Sequence, residues 1–347
     1  MTCPGDPSRF RSVAMYSGGE IIGDGIYKLP VIRALRSAFP AARITWVCPG
    51  TTVYSDRLAP LVAGLLDEVR AQAPVGRHPG DLLRRVRTED RFELVLDTQH
   101  IVWRTLCARR LARETFVSGA FGFRLSDVRP SDGYRRPRHI VAQLIDLIGL
   151  ATAHRPPLDR RLCLPVTHAD KARALLPEGS TYVGFAPGAG GASKRWPLDR
   201  FIEVAARQAA RGRVPVFILG PAEAGELPAI RTALPTAVFP EQEEAVWGRG
   251  FDPLRTMAIG GRLTAAVTND SGISHMLAAV DTPLAVLYGH TSAEKFGPIT
   301  PRACFLKAAD YGDRRMESIP VDAVDHALEA LVTSAMPSGV PAPLIIQ

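Results

Sequence analysis

The run Ala265-Ala266-Val267-Thr268-Asn269-Asp270-Ser271-Gly272-Ile273-Ser274-His275-Met276-Leu277-Ala278-Ala279 constrains the fold more than any other part of the chain. An apolar strand passes through a small polar turn straight into a helix, which is the βα unit of an open parallel sheet. The first turn of a helix carries unpaired N–H groups and partial positive charge. An Asp-Ser-Gly turn feeding one therefore suits a phosphate or diphosphate. Asp and Ser are also the ordinary N-caps of any helix, so this turn alone leaves both readings open. Two further runs add context. Tyr182 to Pro187 is strand-like and ends in Gly188-Ala189-Gly190-Gly191-Ala192-Ser193-Lys194-Arg195-Trp196-Pro197, and Val214 to Leu219 runs into Gly220-Pro221-Ala222-Glu223. Ligands of open α/β sheets bind outside the carboxyl ends of the strands, so the three turns are expected to converge.

At 347 residues the chain exceeds one typical domain, and its 46% hydrophobic content with alternating strand-like and helix-like segments indicates two α/β lobes with sizeable cores. We expect an N-terminal Rossmann-like domain over 1–165, a second over 166–336 and a Pro/Ala-rich tail over 337–347. No uninterrupted apolar run reaches membrane-spanning length and the first residues do not read as a signal peptide, so a cytoplasmic protein is expected. Five scattered cysteines (Cys3, Cys48, Cys107, Cys163, Cys304) without metal-ligand spacing read as reduced thiols. The net charge of +7 is uneven, with Arg84, Arg85, Arg104, Arg109, Arg110 and Arg136 among many arginines in the N-terminal half. Nucleic-acid recognition signatures are missing, which leaves an anionic glycolipid or membrane leaflet as the polyanion, or arginines that simply solvate helices.

The first half reads as strand Val13 to Tyr16, a Gly-rich loop through Gly25, a helix from about Ile26 to Ala38, and strands at Ile44 to Val47 and Leu94 to Asp97. The second half repeats the scheme with strands at 182–186, 214–219, 265–268 and 284–288, and helices at about 198–211, 224–233 and 272–280. Val321 to Thr333 reads as an amphipathic helix.

Taken in order, Ile22-Gly23-Asp24-Gly25, Leu29-Pro30, Ala186-Pro187-Gly188-Ala189, Lys194-Arg195-Trp196-Pro197, Gly220-Pro221-Ala222-Glu223, Asn269-Asp270-Ser271-Gly272 with His275, and Tyr288-Gly289-His290-Thr291-Ser292 resemble glycosyltransferase family 9. The resemblance implies an α/β GT-B enzyme, with two Rossmann-like domains whose parallel sheets face a central cleft. It implies inverting, metal-independent transfer of a heptose from ADP-heptose to a lipopolysaccharide core or related envelope glycan. No cofactor is implied, since the nucleotide sugar is substrate. It also implies a last helix that crosses back to the first lobe and a possible peripheral contact with the cytoplasmic face of the inner membrane.

Asp24 stands where the family places its general base. As an N-cap of a helix starting near Gly25 it has a second reading. The loop Ser17-Gly18-Gly19-Glu20 is longer than the family's and Tyr27-Lys28 replace the usual aliphatic pair, which makes Glu20 a runner-up base. Lys194 corresponds to a donor-phosphate lysine and would neutralise the leaving diphosphate in place of a metal. Gly188, Ser271 and Gly272 are expected against the diphosphate, and Asp270 on sugar hydroxyls or as a helix cap. His275 either donates to phosphate or is an ordinary helix-face histidine. Glu223 is expected on the ribose hydroxyls, with Glu226 as rival. Other classes stay open: a GDP- or UDP-linked donor, a nucleotide-sugar epimerase of this architecture, or a non-catalytic glycan-binding homologue. The Gly188–Ser193 turn lacks the last glycine or alanine of a dinucleotide fingerprint.

Overall fold

The computed structural model describes residues 6–160 and 162–334. The chain divides into two compact units, with the break between Arg160 and Arg161. The tail 337–347 lies outside the described residues.

The first unit is a five-stranded, all-parallel sheet of β1 (Ser12–Tyr16), β2 (Arg43–Val47), β3 (Glu68–Arg70), β4 (Phe92–Asp97) and β5 (Ala112–Ser118), ordered β3-β2-β1-β4-β5. The order reverses between β1 and β4, which pair from Val13↔Leu94 to Tyr16↔Asp97. At such a switch point the loops after the two strands splay apart and leave a crevice. Helices cover both faces, so β1 is buried from Val13 to Tyr16 and reads as one continuous apolar run.

The helix after β1 starts earlier than its sequence suggests. It spans Ile22–Ala38, with Ile21 as N-cap and no side-chain capping bond, so Asp24 lies in the first turn and is not the cap. Two glycines in that turn oppose helix formation by roughly 1 kcal/mol each. Tertiary packing overrides them: a β-carbon on Gly25 would meet Val53 Cγ2 at 2.5 Å and Leu58 Cδ1 at 2.8 Å. Tyr54 also donates its hydroxyl to the Gly25 carbonyl at 2.7 Å.

The second unit is another all-parallel sheet, of β6 (Tyr182–Ala186), β7 (Val214–Phe217), β8 (Ala265–Asn269), β9 (Leu284–Tyr288) and β10 (Ala303–Lys307), ordered β10-β9-β8-β6-β7. Its switch point lies between β6 and β8, which pair from Val183↔Ala265 to Ala186↔Thr268. Every residue of β6, β8 and β9 is buried. Phe185 stacks on Phe217 at 5.4 Å and Phe217 on Phe239 at 5.9 Å, and burial of each ring stabilises the core by ~1.5–3 kcal/mol.

The expected helix over 224–233 is a tight 3-10 segment, Pro221–Glu226, followed by a short α-helix, Leu227–Ala233. The last described helix, Val321–Ser334, packs on the second unit's own Leu198–Ala210 helix and on β8 and β9. Val324 and Leu328 fill the core there. Asp325 takes Arg211 at 2.7 Å, and Glu329 pairs with Arg213. Among the described residues no helix is long and apolar enough to cross a membrane.

Candidate functional site

In the second unit the loops after β6 and β8 are tied together by one buried side chain. Asn269, fully buried at the end of β8, donates from its Nδ2 to the Pro187 carbonyl at 2.7 Å and accepts from the Trp196 amide at 3.1 Å. The Gly188–Arg195 loop is thereby closed at both ends on the strand that carries Asp270. Trp196 is buried beneath it and donates its indole N–H to the Ile319 carbonyl at 3.0 Å.

This closure brings Lys194 to Asp270, Nζ to Oδ2 at 2.7 Å, and Thr291 donates to the same oxygen at 2.7 Å. The expectation that Asp270 caps the helix is corrected, because Ser271 is the N-cap residue. One oxygen of the Asp270 carboxylate, Oδ2, positions an ammonium and a hydroxyl. The capping reading of the turn also fails on its other candidate. Ser271 is the N-cap residue of the Gly272–Ala279 helix but makes no side-chain capping bond, and its Oγ is buried without a hydrogen-bond partner. A helix start without a side-chain cap, a partnerless hydroxyl and a lysine held alongside can together receive an anion. His275 lies one turn in, half-buried.

Glu223 is buried in the tight turn after β7 and accepts from Arg195 at 2.6 Å. Gly188 and Gly220 flank its carboxyl group closely. A β-carbon on Gly188 would come within 2.8 Å of its carboxyl group, and one on Gly220 within 2.9 Å. Glu226 lies 3.6 Å from Arg195, and burial holds its carboxyl above the usual carboxylate range. Gly188, Lys194, Glu223, Asp270 and Ser271 thus gather around the switch point of the second sheet. Asn269 and Thr291 were part of the quoted motifs, yet nothing in their residue type announced a positioning role.

In the first unit the loop after β1 carries Glu20, which the structure places as an anchor and not as an available base. It is buried, and its carboxylate accepts from Lys28 at 3.0 Å, Trp46 Nε1 at 3.2 Å, Thr52 at 2.5 Å and the Ser17 hydroxyl. All its strong acceptor positions are engaged. Asp24 is half-exposed and is not one of the hydrogen-bond donors to Glu20, although the charges of Lys28 and Glu20 both act on it. Burial holds its carboxyl above the usual carboxylate range, against the opposing pull of Lys28 and a hydrogen bond with the Tyr27 side chain. Such a group is a better proton acceptor than an ordinary surface aspartate. At the end of β4, burial pushes Asp97 up to about 6. It accepts from Ser118 Oγ and the Gln99 amide, both at 2.9 Å.

Several arginines of the basic half have internal work. Arg109 pairs with Asp127 and donates to the Leu125 carbonyl, Arg110 donates to the carbonyls of Asp81 and Arg84, and Arg136 to that of Gly119. These three are structural, whereas Arg84 and Arg85 remain exposed.

The family model for glycosyltransferase family 9 (heptosyltransferase) matches residues 81–319. The chain belongs to glycosyltransferase family 9. Among curated relatives, lipooligosaccharide heptosyltransferase 2 of Haemophilus influenzae is 36% identical over 143 residues, which is 40% of this chain and 39% of that protein. The match thus spans well under half the relative's length. Among solved structures, a family 9 glycosyltransferase from Veillonella parvula is 19% identical with a TM-score of 0.69, covering 95% of this chain and 98% of that one. The Escherichia coli ADP-heptose lipopolysaccharide heptosyltransferase II is likewise 19% identical, with a TM-score of 0.66 over 93% of this chain and 99% of its own. The family 9 chain therefore has the expected GT-B type of fold, built of two parallel-sheet α/β units.

Proposed function

We propose that the protein is an inverting glycosyltransferase that moves a heptose from ADP-heptose to a lipopolysaccharide core or related envelope glycan. The observation that carries this reading is the helix start at Ser271, whose hydroxyl has no partner, with Lys194 fixed beside it by Asp270. The heptosyltransferase relatives supply the sugar and the base.

The second unit takes the donor. The amides at Ser271 and Gly272 and the Lys194 ammonium receive the diphosphate, and Glu223, flanked by Gly188 and Gly220, meets the ribose. As the glycosidic bond breaks, its electron pair leaves on the diphosphate. Lys194 neutralises the growing charge where other transferases use a metal. The first unit supplies Asp24. Its carboxylate takes the proton of the acceptor hydroxyl as that oxygen bonds to the anomeric carbon from the face opposite the diphosphate. A lipid-anchored acceptor would bring the chain to the cytoplasmic face of the inner membrane. There the exposed Arg84 and Arg85 each gain about 1 kcal/mol from anionic lipid.

A thermal-shift panel tests the donor. ADP should raise the melting temperature more than GDP or UDP, because a ligand of the folded state stabilises by mass action. Stronger stabilisation by GDP or UDP overturns the donor assignment. Turnover should survive excess EDTA, and loss restored by Mg²⁺ would overturn the role given to Lys194.

A further inference from the structure

Between β7 and the Pro253–Gly260 helix the chain is wound around one guanidinium. Arg255 is only 8% exposed. Its Nη1 donates to the Glu241 carbonyl at 2.8 Å, and its Nη2 to the carbonyls of Gly250 at 2.9 Å and Gly248 at 3.3 Å. Trp247 lies against it, with the guanidinium carbon 5.5 Å from the ring, and donates its indole N–H to the Pro240 carbonyl at 2.8 Å. Both glycines have left-handed backbone, with φ of 78° at Gly248 and 94° at Gly250, so Arg255 grips the chain at its two most pliable points. Beside this guanidinium the Glu241 carboxyl is buried, bonded among the described residues to the Thr256 hydroxyl alone. We propose that Glu241 and Arg255 form a pH-operated latch on the loop 242–251, shut while Glu241 is protonated and released when it ionises.

The supply of donors assigns each state its charge. A neutral carboxyl is satisfied by one hydroxyl, which can both give and accept a hydrogen bond. A buried carboxylate needs more donors, and leaving it short is costly. An unused one stands beside it: Arg255 Nε is buried without a hydrogen-bond partner. Nε and Nη2 share one edge of the guanidinium fork, the edge that takes a carboxylate in two parallel bonds. Turning that edge to Glu241 withdraws Nη2 from Gly248 and Gly250, and the loop loses both clamped carbonyls. Burial supports the assignment, since it pushes the Glu241 carboxyl up to about 7, against the pull of Thr256 and Arg255 and with a further push from Asp252. The remaining charges nearby have other partners. Asp252 accepts from the Leu254 amide at 2.9 Å and lies 2.8 Å from His168 Nε2, Lys171 sits over the Trp247 ring, and Glu244 pairs with the exposed Arg249.

The loop also reaches the second sheet's turns. Gln242 donates to the Leu219 carbonyl at 3.1 Å, immediately before the Gly220-Pro221-Ala222-Glu223 turn. On the glycosyl-transfer reading, release therefore loosens the turn that holds Glu223, and donor affinity falls as pH rises.

Hydrogen exchange on the full chain at pH 6 and pH 8 tests the latch, with each rate divided by that of the unstructured peptide at the same pH. Release linked to one proton lost near pH 7 shifts roughly tenfold over this range. In the parent, a peptide covering 243–251 should be protected at pH 6 and about tenfold less so at pH 8, while the Leu198–Ala210 helix exchanges more slowly than the loop at both. In Glu241→Gln the loop should keep its pH 6 protection at pH 8. Arg255→Lys keeps the charge and loses the fork, so its loop should be open at both. Parent protection that does not change, a Glu241→Gln loop that loses as much as the parent's, or loop and helix exchanging at one common rate would each overturn the latch. ADP titration at the two pH values reads the link to the donor turn. Affinity should fall more in the parent than in Glu241→Gln, and an equal fall overturns that link. ADP bound by neither protein overturns the donor reading and leaves the exchange result to decide the latch.

Discussion

Replacing Asn269 by Ala should damage the second unit more than any surface substitution, and the cost can be worked from its two bonds. The side chain is fully buried. Its removal strands the Pro187 carbonyl, now bonded at 2.7 Å, and the Trp196 amide, now bonded at 3.1 Å. Each buried backbone group left without a partner costs about 1–3 kcal/mol. The pair therefore costs ~2–6 kcal/mol, a large part of the stability of an ordinary domain. The loss should be local before it is global, since the Gly188–Arg195 loop is closed onto β8 by this residue. Urea unfolding measures the total, and hydrogen exchange read on a peptide spanning Trp196 measures the local opening. ADP affinity should fall in the same variant, because Lys194 rides on the released loop. A stability loss below 0.5 kcal/mol with unchanged exchange at Trp196 would refute the reasoning, as would intact ADP affinity alongside a large local opening.

Asp24→Asn should lower turnover by at least ~10² while leaving ADP affinity intact, since a general base contributes roughly 10²–10⁴. Because burial raises the Asp24 carboxyl, the rate should rise with pH through an apparent value above the ordinary carboxylate range. Tyr27→Phe, which removes a bond to the charged form, should move that limb to higher pH, and a limb unmoved in pH–rate profiles would exclude the contact. Lys194→Ala should weaken donor binding and turnover together, read as Kd and kcat, since phosphate charge exists in the ground state and grows as the bond breaks. Glu241, fully buried and bonded to the Thr256 hydroxyl, is pushed up to about 7 by burial. Its folded state prefers the protonated form, so stability is lost as pH rises from the unfolded value near 4.5 through 7. Glu241→Gln should be more stable than the parent at pH 8, by up to a few kcal/mol, with the difference vanishing near pH 4.5. Melting curves across this range check the sign.

The second unit was the more legible half. Strands such as Tyr182–Ala186 and Leu284–Tyr288 are buried on both faces, so their residues form unbroken apolar runs with turn residues at each end. The first unit hid more. Glu68–Arg70 is a three-residue edge strand with charged ends, and Ala112–Ser118 starts on polar residues, so neither carries the apolar signature of a central strand. The start of the Ile22–Ala38 helix was misread because its glycines answer to Val53 and Leu58, residues remote in sequence. The site divided along similar lines. Motif spacing gathered Gly188, Lys194, Glu223 and Ser271, while pairwise partners such as Lys194 with Asp270 or Lys28 with Glu20 depend on loop paths that no local pattern encodes.

The place of the Val321–Ser334 helix also sets an order of events during synthesis. The first unit has all its strands and its covering Ile140–Thr152 helix by residue 152, so its core can close while the ribosome is still working. The second unit cannot close its core until Val324, Leu328 and Val332 emerge, because they complete the cluster around Phe185 and Val267. At typical elongation rates that leaves a half-built, apolar sheet exposed for on the order of 10–35 s. The stretch from β6 to the final helix is then the part of the nascent chain that most needs a chaperone.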